Sequence, residues 1–281
     1  MLFNPALLDD IRKTIDSGYY ERLAPVRRER KSVCERLEQE LAEGRLPLIL
    51  EVATAWPEKG LLMPNRNEAS ALIDRLALLE PAAMSMWVEP RHMAGDLRWL
   101  TRERAFPIIC KDLVIDVRQV VGGDALLLKR PLLKLAGADE HALIDAAHDL
   151  DMEVIMEVRT PEELSAAKTG EADIIAISNS NNGNGHAATA AAIQTGGVPD
   201  ITVSLQMLGA NHTNRPVIST MGIRTPAHVR ALIMAGAAGV ELDAQATGAP
   251  NAIELIGELK KAMNGKEPPK AEKETTQNKS S

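Results

Sequence analysis

The sequence predicts an α/β chain of one architecture, a (β/α)8 barrel with a helical extension ahead of its first strand. Three observations predict it. Eight short apolar runs recur along the 281 residues. Amphipathic stretches fall between most of them, the pattern of a parallel sheet covered by helices. Several runs close on a charged residue, and barrels keep their chemistry at the C-terminal ends of strands. A doubly wound open sheet is the alternative, but no Gly-x-Gly-x-x-Gly follows an early strand.

Residues 3–45 read as largely helical. Leu7, Leu8, Ile11 and Ile15 hold a helical period, and a charged stretch runs from Arg27 to Glu43. Gly18 and Pro25 divide the region into two helices. The strand candidates then follow in order: Leu46–Glu51, Ala83–Val88, Phe106–Lys111, Asp124–Leu128, Glu153–Glu157, Asp173–Ser178, Pro216–Ser219 and Gly239–Asp243. Helices are expected at Glu68–Leu79, His141–Leu150, Pro161–Lys168 and Pro226–Ala235. Between Leu113 and Gly123 there is room only for a short or truncated helix. Residues 1–45 thus form the extension, 46–264 the barrel, and 265–281 a tail too polar to pack and expected to be disordered.

Composition narrows the function classes. Apolar residues make up 45% and aromatics 2%, so the core must be built from Leu, Ile, Val, Ala and Met. Met84, Met86, Met152 and Met156 are read as core filler. A net charge of −7 argues against a nucleic-acid partner. Cys34 and Cys110 provide neither a disulfide framework nor a zinc spacing. With no signal peptide and no membrane-length apolar run, a cytoplasmic protein without a membrane partner is expected. A small-molecule substrate or a protein is the expected partner, and the sequence calls for no cofactor.

Three charged residues closing apolar strands suggest one site. Lys111 ends Phe106–Cys110, Glu51 ends Leu48–Leu50, and Glu157 ends Val154–Met156. Ionised groups are rarely buried unless paired or working. A buried Lys-Glu pair that merely closes the barrel is the structural alternative. Lys129 and Arg130 follow the fourth strand, either as a cation for substrate or as solvated loop charges. In Val240-Glu241-Leu242-Asp243 the alternation is strict, so Glu241 and Asp243 face the interior if Val240 and Leu242 face the helices. The result is an acidic cluster with Glu51 near Lys111. It suits a divalent cation on oxygen ligands, a cationic substrate, or a salt-bridged plug. Without histidines on strand ends, zinc is not expected, and no metal site is assigned. His92, His186 and His212 are read as surface histidines. Residues 178–185, Ser-Asn-Ser-Asn-Asn-Gly-Asn-Gly, form either a flexible connector or a cradle of backbone N–H groups for an anion.

The order of motifs over roughly residues 46–260 resembles the indole-3-glycerol-phosphate synthase family. Leu48–Glu51 with Pro57, Ser85–Pro90 with Gly95, Pro107–Asp112, Met156–Val158 and Met221–Ile223 carry the resemblance. That family closes an indole ring on a phosphorylated, anthranilate-bearing substrate in tryptophan biosynthesis, with loss of carbon dioxide and water. The resemblance implies Lys111 as general acid, Glu157 as general base and Glu51 as a positioning carboxylate. Substrate contacts are expected at the matching positions Ser178, Gly222 and Asp243, and at Lys129, a new cation where the family is apolar. The chain also departs from the family. Ala53 stands where a second lysine is expected, Trp56 for a serine, and Leu113 for an aromatic residue. Ser178 and Ser180 stand for an asparagine and an arginine, and Thr220 and Met221 for a glutamate and a serine. Asp243-Ala244 replaces the Gly-Ser that receives phosphate. A carboxylate there opposes a phosphate, since two charges about 4 Å apart repel by roughly 4 kcal/mol at an effective dielectric of 20. Three readings stand: a diverged lyase on an altered substrate, a non-catalytic binding or scaffold protein, and a working synthase with rebuilt phosphate contacts.

Overall fold

The computed structural model describes residues 4–22, 30–56, 60–61, 66–101, 104–179, 201–209 and 213–261. Eight parallel strands close into a barrel. They are β1 (Leu48–Val52), β2 (Ala83–Trp87), β3 (Ile108–Lys111), β4 (Ala125–Lys129), β5 (Glu153–Val158), β6 (Ile174–Ser178), β7 (Val217–Thr220) and β8 (Gly239–Leu242). Each pairs with its sequence neighbours, and β8 returns to β1 with Ile49 opposite Glu241. A two-stranded hairpin, Ala55–Trp56 with Gly60–Leu61, follows β1. The expected strand at Phe106 begins two residues later, at Ile108, because Pro107 cannot donate to the ladder.

The helices are α1 (Pro5–Asp16), α2 (Val33–Ala42), α3 (Arg66–Ala77), α4 (Arg130–Ala136), α5 (Glu140–His148), α6 (Pro161–Thr169), α7 (Thr202–Gly209), α8 (Pro226–Met234), α9 (Ala244–Thr247) and α10 (Ala252–Lys261). Their starts follow capping chemistry. Asn4 accepts the N–H of Leu7, Ser32 that of Glu35, Thr160 that of Glu163, and Thr225 that of His228. Pro161 and Pro226 occupy first-turn positions where no N–H is needed. The short segment after β3 is a single 3-10 turn, Val117–Gln119, as its length required. Among the described residues no helix is long and apolar enough to cross a membrane.

Two apolar layers meet at the barrel wall. The outer one joins the helices to Leu48, Leu50, Met84, Met86, Leu126, Leu128, Val154, Met156, Ile175 and Ile177. The inner one is Ile49, Ala83, Ile109, Ala125, Leu127, Ile155, Ile174, Ala176 and Ile218. Val33 and Leu37 of α2 belong to this inner layer, so α2 seals the N-terminal end of the barrel. A Cβ on Gly239 would lie 2.9 Å from Leu37 Cδ2 and 3.0 Å from the carbonyl of Pro47. The floor therefore packs closely on α2, and a larger residue at Gly239 would press on Leu37 and Pro47. The extension also grips the opposite end. The Tyr20 hydroxyl donates to Asp112 Oδ2 at 2.9 Å, and the Tyr19 hydroxyl to the carbonyl of Val88 at 3.0 Å.

The tail from Gly265 and the residues His186, His212, Ser180 and Pro57 lie outside the described residues, as does the loop 180–185.

Candidate active site

Side chains on a strand alternate between faces. On β1 the inner residue Ile49 is followed two residues later by Glu51. The same step leads from Ala83 to Ser85 and Trp87, from Ile109 to Lys111, from Leu127 to Lys129, and from Ile155 to Glu157. It also leads from Ala176 to Ser178, from Ile218 to Thr220, and from Gly239 to Glu241. The alternation on β7 is confirmed by Ser219, whose hydroxyl meets Ser204 of α7 at 2.7 Å and so faces outward. A polar layer thus caps an apolar interior at the C-terminal end of the barrel, and every member of it is buried.

Lys111 is the centre of that layer. Its Nζ donates to Glu241 Oε2 at 2.8 Å and lies 3.4 Å from Glu51 Oε2. Glu241 is held in turn by the Ser85 hydroxyl at 2.5 Å. Glu51 accepts from the indole N–H of Trp87 and from the N–H of Ala244 at 3.2 Å. Burial acts to lower the Lys111 pKa, but Glu241, Glu51 and Glu157 outweigh it and hold the ammonium above its ordinary value. Burial and the charge of Glu241 raise the pKa of Glu51 against the pull of Lys111.

Lys129 sits differently. It is the last residue of β4 and buried, where a solvated loop charge was the alternative. Its Nζ lies 4.7 Å from the Trp87 ring centroid and 3.9 Å from Glu157 Oε2. It makes no hydrogen bond to any described residue. Burial, the largest influence, brings its pKa down to about 8 against the attraction of Glu157. Glu157 itself is bound by Arg159 Nη2 at 2.9 Å. Burial acts to raise the Glu157 pKa, but Lys129 and Arg159 together bring it down to about 2.

Asp243 caps α9, accepting the N–H of Ala246 at 3.1 Å. It also accepts the N–H of Gly222 at 3.3 Å and pairs with Arg224 Nη2 at 2.6 Å. Met221 and Gly222 both have positive φ, 66° and 76°. This left-handed pair aims the Gly222 N–H at Asp243, and a non-glycine residue adopts such a backbone at a cost of about 1–2 kcal/mol. Ser178 is buried at the end of β6, its Oγ 3.7 Å from Met221 Sδ.

The family profile of indole-3-glycerol phosphate synthase matches residues 8–259. This chain belongs to the indole-3-glycerol phosphate synthase family. Among similar proteins, the indole-3-glycerol phosphate synthase of Carboxydothermus hydrogenoformans is 28% identical over 237 residues, 80% of this chain and 84% of its own. That of Halobacterium salinarum is 27% identical over 219 residues, 75% and 79% of the two chains. Of the solved structures, the N-acetylmannosamine-6-phosphate 2-epimerase of Clostridium perfringens shares the fold, with a TM-score of 0.53 at 16% identity. It covers 78% of this chain and 92% of its own.

For this member of the synthase family, the structure brings Glu51, Lys111, Lys129 and Glu157 into one layer. It divides them into two groups. Lys111 is shared by Glu51 and Glu241, and Glu157 by Lys129 and Arg159. Gly222 and Asp243 meet each other beside that layer. The three carboxylates of the acidic cluster are paired with two cations, Lys111 and Arg224, and no described group of three His, Cys, Asp or Glu is arranged to hold a metal ion. Arg130 is no solvated charge either, being buried and paired with Glu140. Arg224 and Arg159 were not singled out from the sequence, and Asn179 was read only as part of the loop 178–185. Arg224 lies in a loop with no periodicity to mark it. Arg159 follows Glu157 by two residues, which on a strand is a same-face signal that was available. Asn179 donates to the carbonyls of Thr220 and Met221 at 3.0 and 3.1 Å, tying β6 to the turn that carries Gly222.

Proposed function

We propose that this chain is a diverged member of its family, carrying acid–base, lyase-type chemistry on a substrate without the family's phosphate. One observation carries the reading. The carboxylate of Asp243 occupies the Gly222 N–H, the α9 N-terminus and the Arg224 guanidinium together. Barrels commonly bind phosphate with the loops after strands seven and eight and a short extra helix, and here that anion is supplied by the chain itself. An incoming phosphate has to displace Asp243 or bear its charge.

Lys111 is the proton donor, kept charged by its two carboxylates. Glu51 is the better proton acceptor, because its raised pKa brings it closer to neutrality than Glu157. Glu157 is an anionic contact for a developing positive charge. A working synthase is the second reading, and Arg224 favours it: a guanidinium beside the end of β8 can pass from Asp243 to a phosphate.

A synthase assay with the family's phosphorylated, anthranilate-bearing substrate decides between them, run on the parent, Lys111→Ala and Asp243→Gly. No turnover by the parent is expected, with binding of inorganic phosphate gained in Asp243→Gly. Turnover by the parent that vanishes in Lys111→Ala overturns the proposal in favour of the synthase.

A further inference from the structure

The polar layer contains two groups that the acid–base roles leave unused. One is the Nζ of Lys129. The other is the Oγ1 of Thr220, on the inward face of β7. Both are buried, and neither makes a hydrogen bond to any described residue. Buried polar groups are normally satisfied, and each exception calls for an explanation. The contrast with Lys111 is informative. Both lysines lie over the same indole ring, at 4.7 and 6.0 Å from its centroid. Lys111 has two carboxylates within 3.4 Å. Lys129 has one carboxylate, at 3.9 Å, and Arg159 already binds it. Two ammonium groups in one buried layer disfavour each other, and the one with fewer partners gives up its proton first. The chain therefore sets a permanent acid beside an amine that is easily made neutral. Such a lysine, desolvated and next to a second cation, is the usual activated amine of imine chemistry.

We propose that Lys129 is an imine-forming residue, its amine adding to the carbonyl carbon of a small, uncharged hydroxyketone or hydroxyaldehyde seated against Trp87 and Thr220. The C–N bond forms as the C=O π bond opens. The oxygen takes one proton from the attacking nitrogen and one from the Lys111 ammonium, and leaves as water. The positive charge lost by Lys111 reappears on the iminium nitrogen, so the charge facing Glu51, Glu241 and Glu157 does not change. Thr220 Oγ1 is a hydrogen-bonding partner for a ligand hydroxyl. That the ligand is uncharged rests on the reading of Asp243 above; the imine itself does not.

The test is reductive trapping on the full-length protein. Dihydroxyacetone and cyanoborohydride are added at pH 7, and the modified lysines are mapped by peptide mass spectrometry. With a pKa of about 8 in place of 10.5, Lys129 offers about 300-fold more free amine at pH 7 than an ordinary lysine. It is expected to label ahead of every other lysine, to lose that preference when the protein is unfolded in urea, and to leave Lys129→Met unlabelled inside the barrel. Label confined to surface lysines, or to Lys111, overturns the proposal. A parallel arm uses dihydroxyacetone phosphate. Little label at Lys129 is expected there. Labelling equal to that with dihydroxyacetone keeps the imine and overturns the exclusion of phosphate. Failure of both probes to label Lys129 overturns the imine alone.

Discussion

Removing the carboxylates around Lys111 one at a time and then together should give strongly non-additive losses of stability. At 2.8 Å from Glu241 and 3.4 Å from Glu51, the ammonium is attracted by about 6 and about 5 kcal/mol at an effective dielectric of 20. Much of this is offset by the cost of taking the charges out of water. The two carboxylates also repel each other, which is part of why Glu51 has a raised pKa. Glu241→Gln therefore relieves Glu51, which ionises more readily and holds Lys111 alone. Each single change, Glu241→Gln or Glu51→Gln, is expected to cost about 1–1.5 kcal/mol. The double change leaves a buried ammonium without its adjacent carboxylates and should cost about 4–5 kcal/mol, the upper part of the range of about 3–5 kcal/mol found when a buried ion pair loses its partner. The coupling is then about 1–3 kcal/mol. Urea unfolding at pH 7, followed by tryptophan fluorescence and circular dichroism in parallel, measures all four proteins. Singles that sum to the double within about 0.5 kcal/mol would refute the sharing of one ammonium by two carboxylates.

Two further outcomes are expected. Because the Lys129 pKa is about 8 in the folded chain and 10.5 as its ordinary value, the unfolded chain binds more protons between these pH values. Stability should therefore rise with pH across that window, by up to about 3 kcal/mol, while Lys111, shifted the other way, loses its contribution only above pH 10.5. Lys129→Met should flatten the rise and be at least about 1 kcal/mol more stable than the parent at pH 7; urea midpoints at pH 7 and 10 check both. At Gly95 a Cβ would strike the Val88 backbone and lie 2.7 Å from the carbonyl of Trp87. Gly95→Ala should cost about 2–3 kcal/mol, read as a lowered unfolding midpoint, and an unchanged midpoint would show that the loop does not cross β2 so closely.

The barrel was legible because its signal is redundant. Eight apolar runs, each closed by polar or charged residues, leave few other ways to bury so much Leu, Ile and Val. The inward faces of Glu51, Lys111 and Glu241 follow from a period of two alone. The helix Arg130–Ala136 was not legible, since seven residues hold barely two turns and Lys129-Arg130 reads as a polar loop. The wiring within the site was hidden for a different reason. Alternation says which side chains enter the barrel, but not which ones meet across it. Lys111 on β3 reaches Glu241 on β8 through the interior, 130 positions along the chain. Glu157, which the resemblance casts as base to Lys111 as acid, lies against Lys129, its cross-strand neighbour in the register. Alternation turned Asp243 inward only on the condition that Val240 and Leu242 face the helices, and its pairing with Arg224 depends on a loop conformation that no periodicity encodes.

The extension holds the barrel at both ends, with α2 packed into its floor and Tyr20 bonded to Asp112 beside Lys111. Segments that touch opposite ends of a fold join them into one cooperative unit, because neither end can open without giving up contacts to the same stretch of chain. Amides of β3 near Lys111 should then exchange with solvent at the same free energy as amides near Gly239. Detaching the floor by Leu37→Ala should speed exchange at the C-terminal end of the strands as well. The polar layer would owe its rigidity to a helix on the far side of the barrel, and a barrel cut free of residues 4–42 would lose order at the mouth as well as at the floor.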